Sequence, residues 1–198
     1  MIDTHSHLFV EEFSEDLPSV IKRAKDVGVE RVFMPNIDDE SLEDMLQVCS
    51  LYPGYCYPML GYHPTSVDTS SMAKVLRMKE HLVSGHPFIA IGEVGLDLYW
   101  DKTYLNEQLI AFEQQIEWAL QYNLPIVIHV RDAFEYIKCR RTEEHQRADH
   151  HFDVMHRRNT RNFIITHTVS AFIVMFYYYI TNSQLLQSKT SRTKFNYL

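Results

Sequence analysis

The chain has 198 residues, 45% of them apolar, and a formal net charge of −7. That is the composition of a globular domain with a sizeable core, not of a disordered or fibrous chain. The acidic balance argues against a broad basic surface for duplex nucleic acid, and the longest apolar run, AFIVMFYYYI (171–180), is half the about 20 residues needed to cross a bilayer.

The first residues, MIDTHSHLF, predict a strand over 2–9. Alternate side chains of a strand share a face, so His5 and His7 would stand about 6.6 Å apart on one side, able to converge on one divalent cation. Two surface histidines on an edge strand is the plain alternative. The stretch shows no basic and apolar leader pattern. Cys49, Cys56 and Cys139 lack metal-knuckle spacing, so free thiols and a cytoplasmic, reducing location are expected.

Next, Leu17, Val20, Ile21, Ala24 and Val27 recur at helical spacing, with Gly28 as a C-cap. RVFMPNI (31–37) predicts a buried strand, and Leu42, Met45, Leu46 and Cys49 a second helix. A third strand lies within YCYPMLGYHP (55–64), and a third helix carries Met72, Val75, Leu76, Leu82 and Val83. FIAIGEVGLD (88–97) is the fourth strand. A long helix then carries Leu105, Leu109, Phe112, Ile116, Ala119 and Leu120, and PIVIHVRDA (125–133) is the fifth strand. Strands apolar on both faces belong to parallel sheets covered by helices. Alternation at about 30 residues per unit means βαβ repeats. A doubly wound sheet and a (β/α)₈ barrel both fit, but no Gly-x-Gly-x-x-Gly follows the first strand.

Beyond residue 137 the chain changes character. Residues 1–137 carry a balance of −13 and residues 138–198 one of +6, and every glycine and proline precedes residue 126. Turns depend on those residues. Two segments are therefore expected: a barrel-like 1–137, and an atypical 138–198 of shifted-frame or foreign origin, helical or irregular instead of three further βα units. An alternative C-terminal module is the competing reading.

The chemistry-bearing residues gather at strand ends. His5 and His7 lie on strand one, His63 closes strand three, Glu93 strand four, and His129 strand five, with Arg131 and Asp132 beyond it. Parallel strands would bring them to one mouth, where imidazoles and a carboxylate make a metal site. Any one of them alone would be an ordinary satisfied polar group.

MIDTHSHL, GYHP, IGEVGLD and PIVIHVRDA, in this order, resemble the TatD family of metal-dependent deoxyribonucleases, a branch of the amidohydrolase-like (β/α)₈ barrels. The resemblance covers residues 1 to about 137, that is, the N-terminal half of a TIM-type barrel, about four and a half βα units. It implies His5 and His7 as ligands of one ion, Glu93 as a bridging and catalytic carboxylate, and His129 as ligand of a second ion. It also implies His63 and Arg131 as substrate contacts. The implied cofactors are two divalent ions (Mg²⁺, Mn²⁺ or Zn²⁺). The implied substrate is single-stranded DNA or DNA ends, hydrolysed from the 3′ side. No membrane partner is implied, and the intact family fold would be a monomer. The family also places a histidine on strand six, in a His-Cys-Phe-Ser-Gly-like context, and an aspartate near strand eight, in Glu-Thr-Asp-x-Pro. Neither motif stands in this sequence; His156 is the substitute considered for the former. Impaired hydrolysis is thus expected. The alternatives are an amide or ester hydrolase, such as a misacylated-tRNA deacylase, and a non-enzymatic remnant.

Overall fold

The structure, a computed structural model, describes residues 1–85, 87–137, 163–169 and 172–177. His156 and Cys139, with the rest of 138–162, 170–171 and 178–198, lie outside these residues.

Seven strands form one sheet in chain order: β1 (Ile2–Asp3), β2 (Arg31–Pro35), β3 (Cys56–Leu60), β4 (Ala90–Asp97), β5 (Ile126–Arg131), β6 (Phe163–Val169) and β7 (Phe172–Tyr177). All pairs from β1 to β6 are parallel, and β7 returns antiparallel on β6. A doubly wound sheet would reverse its strand order at a switch point. This one never does, so the sheet is part of a TIM-type barrel. Between the strands run α1 (Leu17–Asp26), α2 (Leu42–Leu51), α3 (Ser71–Val83) and α4 (Leu105–Tyr122), and α5 (Phe134–Ile137) follows β5. No helix among the described residues is long and apolar enough to cross a membrane.

The helix forecast holds, with shifts of face. Met78 takes the buried position on α3, while Leu76 and Val83 point outward. Gly28 sits just past α1 at φ 87°, where an L side chain would be strained. The first strand is shorter than expected. Only Ile2 and Asp3 pair as β1, because the Asp3 carboxylate accepts from His5 N (3.1 Å) and Ser6 Oγ (2.6 Å) and bends the chain. The expectation for the tail also needs correction: two of its segments are strands. β6 extends the parallel series, so β5 is not an edge. It is one further parallel strand, not three.

The main core lies between sheet and helices, with Met34, Met45, Leu60, Ile91, Ile116, Trp118 and Ile128 fully buried. Met59, Ala90 and Val127 form a smaller cluster. They alternate along their strands with Leu60, Ile91 and Ile128, so they line the other, inner face.

Candidate metal centre

The inner face carries the site. On β5, Val127, His129 and Arg131 alternate inward. On β4 strict alternation from Ile91, which packs outward, would send Glu93 and Asp97 toward the helices. It does not, because the register slips between Ile91 and Val94. After that bulge, Val94 pairs with Ile128, Gly95 with His129 and Asp97 with Arg131. Paired residues of neighbouring strands share a face, so Glu93, Gly95 and Asp97 join His129 and Arg131. The glycines of IGEVGLD make this approach possible. A Cβ on Gly92 would stand 2.6 Å from Val127 Cβ, and one on Gly95, at φ 142°, would overlap the carbonyl oxygen of His129.

Glu93 and His129 are buried, and the carboxylate is the hub. Its Oε2 lies 3.1 Å from His5 Nε2 and 3.8 Å from His63 Nε2, and its Oε1 lies 3.2 Å from His129 Nδ1. Two groups of donor atoms result, each within 4.8 Å: His5, His7 and Glu93, and His63, Glu93 and His129. His5 and His7 meet edge to face, ring centroids 5.1 Å apart, although they lie beyond the hydrogen-bonded strand. Thus His5, His7, His63, Glu93 and His129 come together, and Arg131 is joined to them through Asp97.

Hydrogen bonds orient the imidazoles. His7 Nδ1 donates to the Pro35 carbonyl (3.0 Å), which turns the lone pair of Nε2 outward. His129 Nε2 donates to Asp97 Oδ2 (2.9 Å), which leaves Nδ1 facing Glu93 and His63. The Nδ1 of His63 accepts from the amide of Thr65 (3.2 Å). Burial lowers the His7 pKa, helped by the charge of His5. Burial also pushes His63 down to about 4 against the pull of Glu93. For His129 burial is outweighed by its bonds to Asp97 and Glu93, and its pKa rises. Burial would raise Glu93, but bonds from His129 and His5 hold it well below the usual range.

This donor set fits divalent cations. Lone pairs from a carboxylate and several neutral imidazoles converge in a buried space, and His5 Nδ1 is buried with no hydrogen-bond partner among the described residues.

Three contributors escaped the sequence reading. Asp97, the last residue of IGEVGLD, is buried and accepts from His129 and from Arg131 Nη2 (2.6 Å) and Nε (2.8 Å), which hold its pKa down at about 2 against the effect of burial. Gln108 and Gln115 are both buried on α4 and two helical turns apart. Gln108 clamps the backbone of Asp97 (3.0 and 3.1 Å), and Gln115 that of Tyr62 (2.7 and 3.3 Å), beside His63. Polar residues inside an apolar stripe were the available signal. The strand that pairs with β5 carries His167, whose backbone is in register with Val130, and not His156.

A parallel barrel-type sheet that carries imidazoles and a buried glutamate on its inner face is an arrangement suited to a divalent metal centre. Comparison with known families narrows this. The family model described as TatD related DNase matches residues 2–192, and the chain belongs to the TatD family. Over 135 residues it is 37% identical to the uncharacterized metal-dependent hydrolase YabD of Bacillus subtilis, a match covering 68% of this chain and 52% of that protein. Over 138 residues it is 34% identical to the 3′-5′ ssDNA/RNA exonuclease TatD of Yersinia pseudotuberculosis, covering 68% and 52%. The crystal structure of YjjV, a TatD homologue from Escherichia coli, superposes with a TM-score of 0.65 at 22% identity, covering 83% of this chain and 66% of that one, a likeness of fold. The chain spans about half the length of the curated relatives it matches.

Proposed function

We propose that this site hydrolyses phosphodiester bonds at the 3′ end of single-stranded DNA, using two divalent ions that share Glu93. The carrying observation is the divided carboxylate: Oε2 faces His5 and Oε1 faces His129, so one residue serves two groups of donors. His5 and His7 would hold one ion, and His129, with His63 beside it, the other. When bound, such ions turn water into a nucleophile near neutral pH and stabilise the oxygens of an in-line displacement. The protein's own part is orientation. Asp97 and the Pro35 carbonyl fix the two ring tautomers, and burial keeps His7 and His63 neutral. His63 and Arg131 would receive the phosphate and the adjoining nucleotide. Relatives named as ssDNA/RNA exonucleases support the substrate class.

We also propose that the chain is two segments, 1–137 and 138–198. The matches to curated relatives, 131–138 residues long, support this, as does the shift in composition. These 198 residues hold no Thr-Asp pair of the kind in the family's last motif, so hydrolysis by these residues alone should be slow. A missing general base alone costs roughly 10²–10⁴ in rate. The test is digestion of a 3′-labelled single-stranded oligonucleotide with Mg²⁺ or Mn²⁺. Slow, metal-dependent release of label that Glu93→Gln abolishes is the expected result. Equal release by the variant, or release in chelator, would overturn the proposal.

A further inference from the structure

Immediately after β4, Tyr99 and Trp100 stand 55% and 73% exposed, ring centroids 4.7 Å apart. Two large aromatics at that exposure are unusual on a surface. They are not loosely placed. The Arg131 guanidinium lies 4.9 Å from the Tyr99 ring and 5.4 Å from the Trp100 ring. The same guanidinium is tied to Asp97 Oδ2, which also takes His129 Nε2 at 2.9 Å. Asp97 Oδ1 accepts from the Tyr99 amide at 3.1 Å, and Leu98 N donates to the Arg131 carbonyl at 2.9 Å. One buried carboxylate therefore joins the aromatic pair to a residue of the metal centre.

We infer that Tyr99, Trp100 and Arg131 form a stacking subsite for a nucleobase next to the scissile phosphate. The inference rests on the proposed phosphodiester chemistry and names what holds the strand there. Charge favours this occupant. Residues 1–137 carry a balance of −13, which favours local contacts over a broad basic surface for holding the strand. Arg131 shares its charge with Asp97, which leaves a planar guanidinium edge-locked beside two rings. The two rings stand nearly perpendicular, at 84°, so the more exposed Trp100 indole offers the face for a base; a flat π-face with an adjoining guanidinium binds bases of any identity, at about 1–3 kcal/mol per base. Arg131 and His129 both touch one oxygen of Asp97, so a single carboxylate joins the platform to the centre.

The test uses the 198-residue protein with Mg²⁺ and two 5′-labelled phosphorothioate octamers, oligothymidylate and its abasic counterpart. Fluorescence anisotropy gives the affinities, and tryptophan emission follows Trp100, Trp118 being buried. The wild type should bind the base-bearing octamer about 5- to 150-fold more tightly, the range set by one stacked base, with quenching. Trp100→Ala should bind both octamers alike. Glu93→Gln should keep the preference for bases, so failure of the hydrolytic reading and failure of the subsite separate. Equal binding of both octamers by the wild type, binding of neither, or an unchanged preference in Trp100→Ala would overturn the inference. So would a wild-type dimer that Trp100→Ala dissolves in sedimentation, which would assign the rings to a second copy of the chain.

Discussion

The two sides of the candidate centre are held by different means. Glu93 and His129 belong to paired strands in contact through glycine, and a buried Asp97, paired with the half-buried Arg131, orients the imidazole. His5 and His7 follow a two-residue strand, and their segment is shaped by the side chain of Asp3, one amide bond from Ser6 to the Phe33 carbonyl (3.1 Å), and the hold of Pro35 on His7. One side is fixed by sheet packing and the other by a few side-chain hydrogen bonds. The first should fail by unfolding and the second by loosening.

The largest effect should come from breaking the packed side. Gly95→Ala places a Cβ into the His129 carbonyl at a φ of 142°, so overlap and backbone strain add. A loss of about 2–6 kcal/mol in urea-unfolding stability is expected; a variant within about 0.5 kcal/mol of wild type would show that β4 and β5 do not approach as described. Asp97→Asn keeps the packing but weakens the hold on His129. Loss of such an outer partner costs roughly 10–100-fold in metal affinity, to be read by calorimetric titration with Mn²⁺. Asp3→Ala attacks the looser side. The missing turn bonds should cost about 1 kcal/mol of stability and only a severalfold loss of Mn²⁺ affinity. If Asp3→Ala weakens metal binding more than Asp97→Asn, the contrast between the two sides is reversed.

The same contrast marks what was legible in the sequence. The order of strands and helices up to residue 137 was readable, because apolar runs and helical stripes alternate cleanly. The four residues expected as ligands, His5, His7, Glu93 and His129, do converge, with His63 beside them, although Glu93 and His129 stand inside their strands and not at the ends. Their facing was not readable. Strict alternation along AIGEVGLD points Glu93 the wrong way, and only the register slip beside Gly92 corrects it. The His5–His7 geometry was reached through a strand that is not there; the side chain of Asp3 replaces it. Gln108 and Gln115 were missed because glutamine on a helix usually faces water, although their place inside the apolar stripe of α4 was a sign that they do not. In the tail, the lack of glycine and proline suggested helix or irregular chain, yet FIITHTV pairs with β5. Its β-branched residues were the better guide.

The central claim is that Glu93 is shared by two groups of metal donors. Anomalous diffraction from crystals loaded with Mn²⁺ tests it directly. Two peaks about 4 Å apart should flank the Glu93 carboxylate, one against His5 and His7 and the other against His129. A single peak that leaves either group without metal at saturating Mn²⁺, or no peak within bonding distance of Glu93, would contradict the account.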